Sequence, residues 1–258
     1  MGNHEVGELR ILITDLDDTL APSKLPIDIE MSNLVCLILN RIDMAVISGA
    51  SFMKLKQQFA DKLGCNTEKL SKLFLLPTNG TSAYVFTNSG WNKLYSEELT
   101  GSEKKQVIKA INQAIRMFEF ATPKTIFGPQ IEDRATQVTF SALGQDAPIE
   151  LKRQWDADMT KRKLIKRELE TMLPDYTIQI GGTTSLDITK KGMDKAYGIR
   201  KLMKVTDYTN KEMCFIGDKL GEGGNDYSVW TLGIKCINVR NVEETKEIMK
   251  KFIDDFHQ

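Results

Sequence analysis

Histidine is nearly missing from this sequence: among 258 residues only His4 and His257 are histidine, one near each end. A Ser-His-Asp triad, an H-E-x-x-H zinc site and a Cys-His protease each need a histidine inside the fold, so all three fall away. Cysteine is scarce too. Cys36, Cys65, Cys214 and Cys236 show no C-x-x-C spacing, which removes zinc ribbons and thioredoxin-like redox motifs. Most of them lie in apolar strand-like or helical stretches, where cysteine acts as a small hydrophobe, and so few thiols do not make a secreted disulfide scaffold. Neither sign of charge is in excess: 35 Lys plus Arg balance 35 Asp plus Glu. Without a basic surplus the chain lacks the footprint that neutralises nucleic-acid phosphates, and no nucleic-acid partner is expected. Long apolar runs are absent as well. The run Leu34–Leu39 is far shorter than the roughly 20 residues that span a bilayer. The polar start of the chain has no signal-peptide core. These absences predict a cytoplasmic protein without membrane contact. If it is an enzyme, carboxylates, hydroxyls and lysines must do the work.

What is present is an ordinary globular composition, 41% hydrophobic and 27% charged. Short apolar runs alternate with helical patterns, which predicts an α/β fold with a parallel, Rossmann-like sheet. Strands are expected over 9–14, 44–47 and 73–76, and over 82–87 after a tight Asn79-Gly80 turn. Helical spacing marks 29–40 and 51–63. The middle of the chain differs. A strong helix over 102–118 precedes alternating, half-buried strands over 137–142, 176–180 and 184–188. Between these strands lies a charged helix, about 158–173, closed by Pro174 and read as a solvated face. The parallel pattern then resumes with a helix over 194–204, strands over 213–216 and 234–239, and a helix over 242–252. The organisation predicted is a discontinuous core, residues 1–88 and 189–258, with an α+β cap inserted over 89–188.

The sharpest local signal is Ile11-Leu12-Ile13-Thr14-Asp15-Leu16-Asp17-Asp18-Thr19-Leu20, a buried strand ending in two carboxylates at i and i+2. Open α/β sheets bind ligands beyond the carboxyl ends of their strands, so both acids stand where a ligand is expected. Acids this close repel unless a cation or a shared proton offsets them. A calcium EF-hand starting at Asp15 fails, because Leu20 and Pro26 stand where Gly and Glu are needed. An acidic turn after a strand is the plainer reading. Three further segments weigh against it: Val46-Ile47-Ser48-Gly49, Gly192-Met193-Asp194-Lys195, and Cys214-Phe215-Ile216-Gly217-Asp218 running into Lys219-Leu220-Gly221-Glu222-Gly223-Gly224-Asn225-Asp226. Each alone reads as a turn or a surface charge. Their order and strand-end positions together are specific. The glycine-rich loop fits neither a Walker A nor a G-x-G-x-x-G pattern, although it allows close backbone approach to a ligand.

This set, D-x-D-x-T, strand-Ser-Gly, helix-start Lys and strand-G-D…N-D, resembles the haloacid dehalogenase superfamily, in the branch whose α/β cap lies between the second and third motifs. Gly181-Gly182-Thr183-Thr184-Ser185-Leu186-Asp187 and the long spacing from Asp218 to Asn225-Asp226 are most similar to the eukaryotic-type phosphomannomutases. The resemblance implies Asp15 as nucleophile, forming an aspartyl-phosphate, and Asp17 as general acid and base. It implies Mg²⁺ held by the Asp15 carboxylate, the Asp17 carbonyl and Asp218, all hard oxygen ligands. Ser48 and Lys195 would hold the transferring phosphoryl oxygens beside Gly49, and Asn225 and Asp226 would support the metal or the lysine. The substrate implied is a small phosphorylated sugar, and a homodimer through the cap is compatible with it.

The departures are informative. Lys24 stands where the family has a phosphate-binding arginine; in the cap Arg134 is retained, Gln145 replaces a second arginine, and the third falls at Lys152 or Arg153. Ser185 and Asp187 match sugar-contacting positions of the family, while their alternation on a cap strand reads equally as a solvent-facing edge. Lysine cannot reproduce arginine's bidentate fork, and glutamine carries no charge. The expectation is therefore a Mg²⁺-dependent phosphatase of a sugar phosphate. A phosphomannomutase is the alternative, and a non-catalytic sugar-phosphate binder the remote one.

Overall fold

The computed structural model describes residues 9–118, 123 and 125–256; His4, His257 and most of the polar leading segment lie outside them. The chain divides into two compact units, Met1–Ser96 with Asp194–Gln258, and Glu97–Met193.

The first unit is built on β1 (Ile11–Thr14), β2 (Asp43–Ile47), β3 (Leu73–Leu76), β4 (Ser82–Thr87), β5 (Gly90–Ser96), β10 (Met213–Gly217) and β11 (Lys235–Asn238), in the order β11-β10-β1-β2-β3-β4-β5. From β11 to β3 all neighbours are parallel; β4 and β5 add an antiparallel edge. Strands β1, β3 and β10 are buried along their whole length, as continuous apolar runs covered on both faces must be. Alternate residues of β1 feed two cores. Leu12 joins Met31, Val35, Ile38, Leu55, Met249 and Phe252 from α1 (Ile29–Ile38), α2 (Phe52–Gln58) and α9 (Val242–Asp255). Ile11 and Ile13 join Ile199, Leu202 and Val229 from α7 (Lys195–Thr206) and α8 (Tyr227–Trp230). The sheet is thus doubly wound. Its parallel strands bring the residues after Thr14, Ile47 and Gly217 to one edge.

The second unit is a four-stranded antiparallel sheet, β6 (Ile131–Asp133), β7 (Val138–Ser141), β9 (Ser185–Lys190) and β8 (Tyr176–Gly181), in that order. Val138, Phe140, Leu186 and Ile188 pack against α4 (Gly101–Met117) and α6 (Thr160–Met172) through Val107, Ile111, Ile165 and Leu169. The intervening residues Thr139, Ser141, Ser185 and Asp187 belong by strand alternation to the opposite face. Helix α4 starts on a capping box, Thr100 with Glu103.

Several expectations need correction. Residues 89–96 were expected in the cap, yet β5 extends the first unit's sheet, with Trp91 opposite Phe86 and Tyr95 opposite Ala83. Ring contacts of Trp91 with Phe52 and Phe86 hold it there, a tertiary fit that its weak alternation does not announce. The other boundary also moves, because β9 runs to Lys190 and the second unit to Met193. Short elements were missed: α3 (Thr67–Leu70), α5 (Ile149–Trp155), α8 and β6. The charged helix is not solvated throughout. Arg162, 3% exposed, donates to Asp156 Oδ2 at 2.7 Å and to the Gly182 carbonyl at 2.7 Å. Finally, Cys36 and Cys65 form a disulfide rather than acting as separate small hydrophobes, while Cys214 and Cys236 are free.

Candidate functional site

The site is assembled at the carboxyl edge of the parallel sheet in the first unit. Asp15 follows β1 and is 3% exposed, its N–H donating to the Ile216 carbonyl of β10 at 2.9 Å. Ser48 follows β2 and is 1% exposed; its Oγ accepts the Ala50 N–H at 3.1 Å. The Ser48 carbonyl accepts the Asn79 N–H at 2.9 Å, so the turn after β3 braces this loop. Gly49 lies in the same turn. Lys195 opens α7 just after the N-cap Asp194, whose side chain accepts the Tyr197 N–H at 2.8 Å.

These distant segments converge on one ammonium. Lys195 Nζ donates to Asp15 Oδ1 and to Asp226 Oδ1, each at 2.6 Å, and all three side chains are buried. Burial pushes the Asp15 carboxyl up, to about 7, with Asp226 adding to the rise and Lys195 opposing it. Burial alone would lower Lys195, but the two carboxylates outweigh it and hold the ammonium above its ordinary value. The lysine is therefore a fixed cation between two acids.

Asp226 has a place only because residue 217 is glycine: a Cβ there would lie 2.4 Å from Asp226 Oδ2. Asp218 follows that glycine. Ligand oxygens of Asp15, Asp218 and Asp226 lie within 4.8 Å of one another. Asp218 Oδ2 accepts from Lys219 Nζ at 2.6 Å, whereas its Oδ1 is buried with no hydrogen-bond partner among the described residues. An orphaned carboxylate oxygen inside an all-oxygen cluster fits a hard divalent cation better than zinc. Asp17 stands in the turn beyond β1, where its Oδ1 accepts the Lys24 N–H at 2.7 Å. Asn225 is exposed on the glycine-rich loop, beside the buried Asp226.

The structure thus brings together Asp15, Lys195, Asp226 and Asp218, with Ser48 and Asp17 on adjoining strand ends. The remaining candidates belong to the second unit. Arg134 donates to Glu132 Oε2 at 2.7 Å and lies 3.9 Å from Asp187 Oδ1. Asp187 also accepts the Thr139 hydroxyl at 2.7 Å. Gln145 Nε2 is buried without a partner among the described residues, and the Gln145 carbonyl accepts Lys152 Nζ at 2.8 Å. Ser185 is half-buried at the start of β9.

The reading of the sequence missed a support for Lys195. Gly80, at φ +77°, touches Gly198 of α7 backbone to backbone; a Cβ on Gly198 would lie 2.6 Å from Gly80 Cα and 2.8 Å from the Asn79 carbonyl oxygen. Tyr95 Oη donates to both carbonyls, at 3.0 Å to Gly80 and 3.3 Å to Gly198. The Ser48 loop and the lysine helix are thereby fixed to one turn. A glycine inside the predicted helix was the available signal, since helices seldom keep glycine without a packing reason.

A family model described as eukaryotic phosphomannomutase matches residues 31–255, a stretch that begins after the Asp15–Asp17 segment. The chain is 26% identical over 255 residues to the phosphomannomutase of Schizosaccharomyces pombe, covering 95% of this chain and 94% of that one. It is also 26% identical over 226 residues to a probable phosphomannomutase of Caenorhabditis elegans, 85% of each chain. Among solved structures, IMP-bound Plasmodium falciparum IMP-nucleotidase is similar with a TM-score of 0.66 and 16% identity, covering 96% of this chain and 69% of that one. A haloacid dehalogenase-like hydrolase from Bacteroides thetaiotaomicron gives 0.65 and 16%, covering 94% and 99%. At these identities the two structures speak for the fold alone.

Proposed function

The chain belongs to the eukaryotic phosphomannomutase family of the haloacid dehalogenase superfamily and is an enzyme of phosphate esters; from that premise we propose that it is a phosphatase of a small sugar phosphate. The observation that carries this reading is the Lys195 ammonium held at 2.6 Å from both Asp15 and Asp226, beside the orphaned oxygen of Asp218. Asp15 attacks phosphorus, the ester P–O bond breaks, and Asp17 protonates the departing sugar oxygen. Water then attacks the aspartyl-phosphate and gives its proton to Asp17, which releases inorganic phosphate and frees Asp15. Lys195 and Ser48 hold the phosphoryl oxygens as charge develops on them, and Asp226 keeps the lysine in place. Asp15, Asp218 and the Asp17 carbonyl would hold Mg²⁺, which when bound offsets the negative charge of the phosphoryl group.

Arg134, Gln145, Lys152, Ser185 and Asp187 recognise the rest of the substrate in this reading. Its preference for water over a second sugar phosphate rests on the second unit's reduced capacity for a distal phosphate. Arg134 is already engaged with Glu132, Gln145 is neutral, and of the two residues at the third arginine position Lys152 is spent on a backbone carbonyl, which leaves the exposed Arg153. The mutase reading keeps the same chemistry and replaces water by a sugar hydroxyl; the family match over 31–255 favours it. One experiment separates the two. With mannose 1-phosphate or glucose 1-phosphate, catalytic hexose 1,6-bisphosphate and Mg²⁺, inorganic phosphate is expected to form faster than the 6-phosphate. Efficient isomerisation with little phosphate release would select the mutase. Asp15→Asn is expected to fold and to turn over neither way.

A further inference from the structure

Lys24 stands where the resemblance expects a phosphate-binding arginine, and its backbone N–H donates to the Asp17 carboxylate at 2.7 Å. Beyond β1 the chain folds into a tight turn. The Leu20 N–H donates to the Leu16 carbonyl at 2.9 Å, Asp18 N–H to the Ala21 carbonyl at 2.7 Å, and Leu25 N–H to the Pro22 carbonyl at 2.9 Å. Two carboxylates of the turn are used internally. Asp18 Oδ1 accepts the Ser23 N–H at 3.0 Å, and Asp17 Oδ1 accepts the Lys24 N–H at 2.7 Å. Lys24 has φ +64°, in the left-handed region that glycine and asparagine enter readily and β-branched residues resist. This conformation lets the chain leave for α1 while the peptide between Ser23 and Lys24 keeps its N–H on Asp17.

We infer that Lys24 is a positioning residue for Asp17, acting through its main-chain N–H and left-handed backbone and not through its ammonium. The inference rests on the reading of Asp17 as the proton donor and acceptor. A carboxyl group with one oxygen held as acceptor presents the other to carry the proton. That proton passes to the ester oxygen as the P–O bond breaks and the bond from Asp15 to phosphorus forms.

The test compares kcat/KM on a hexose 6-phosphate with kcat/KM on 2,4-dinitrophenyl phosphate, with Mg²⁺ present throughout, because kcat/KM covers only the steps through departure of the leaving group and leaves out the shared hydrolysis of the aspartyl-phosphate. The sugar alkoxide needs a proton to leave and the dinitrophenolate does not, so the ratio reads acid catalysis, which a merely structural role would not move. Asp17→Asn sets the scale and should lower the ratio about 10²–10⁴-fold. Lys24→Val, opposing the left-handed backbone, should lower it roughly 5–30-fold and leave kcat/KM for dinitrophenyl phosphate close to native. Lys24→Gly and Lys24→Asn should keep the ratio within about threefold of native, since both tolerate that backbone. Loss of the ratio in the Gly and Asn variants, with retention in Lys24→Arg, would show that charge matters and overturn the inference. So would an unchanged ratio in Lys24→Val. Should Val also lose dinitrophenyl phosphate turnover, the Gly, Asn and Arg variants decide by the same criterion. An unchanged ratio in Asp17→Asn sinks the role of Asp17 itself, and with it that of Lys24; a lowered ratio there with an unresponsive Lys24 series sinks only the latter.

Discussion

Lys195→Met is the perturbation whose cost the geometry defines best. Methionine keeps much of the length of the side chain and removes the charge, leaving Asp15 and Asp226 buried and facing one another without their cation. Their ligand oxygens lie within 4.8 Å. If both stayed ionised, two unit charges at that separation would repel by about 3.5 kcal/mol at an effective dielectric constant of about 20; taking a proton onto Asp15 replaces that repulsion by a linkage cost that grows with pH. Breaking a buried ion pair by removing one partner typically costs about 3–5 kcal/mol, which is consistent. At about 2–4 °C per kcal/mol for a protein of this size, the midpoint should fall by roughly 6–20 °C. The assay is urea and thermal unfolding with EDTA at pH 7.5 to 8. Acid should relieve the loss. The Asp15 carboxyl, already raised to about 7 by burial, rises further without the ammonium. A carboxyl whose folded value exceeds its unfolded one holds its proton more tightly when folded, so stability declines as pH climbs from about 4 to that folded value. The variant should accordingly approach native stability near pH 5, and Mg²⁺ at neutral pH should stabilise it more than it stabilises the native protein. Phosphate release should fall on the order of 10²-fold or more. A variant within about 1 kcal/mol of native at neutral pH in EDTA would refute this account, because unpaired buried carboxylates cannot be that cheap.

Gly198→Ala should destabilise by about 1–3 kcal/mol through overpacking, with a fall in turnover, since its Cβ would lie 2.6 Å from Gly80 Cα in the helix that carries Lys195; native-like urea unfolding would contradict that fit. Reducing the Cys36–Cys65 disulfide, which closes a separation of 29 residues, should cost about 3–4 kcal/mol on the chain-entropy account and lower the midpoint by on the order of 10 °C. A Cys36→Ser/Cys65→Ser variant should show no response to reductant, and an equal response would show that the effect lies elsewhere. The Glu103 carboxyl is held down to about 2, first by the Thr100 N–H and then by Lys190. Its contribution is present above its ordinary range and is lost as pH falls through about 2. Carboxyl NMR should place the Glu103 midpoint well below an ordinary glutamate, and one at the ordinary value would reject the capping box as the cause.

Most of the candidate site residues are named by the order of the motifs and the family they resemble; what is local in the sequence is the element that carries each of them. An apolar run ending in Asp15-Leu16-Asp17, or in Gly217-Asp218, declares a buried strand with acids at its tip within about ten consecutive residues. Periodicity likewise places Lys195 at the start of a helix and separates the parallel core from the α+β insertion. The partners of these residues are another matter. Lys195 meets Asp15 across a separation of 180 residues and Asp226 across 31, and nothing near position 195 names either acid. Strand order and the crossovers between strands bring those ends to one edge, and only then does the field of two buried carboxylates act on the lysine. Strand β5 escaped notice because its place depends on Trp91 fitting Phe52 and Phe86, not on its own alternation. The disulfide depends on α1 lying against the loop after α2. The Gly80–Gly198 contact depends on two backbones closing where side chains would collide. Hydrophobic pattern determined which segments were strands and helices and which tips carried acids, because burial acts on each segment's own faces. Pairings between distant segments were decided only by the tertiary structure, because they exist once topology has made neighbours of residues that the chain keeps far apart.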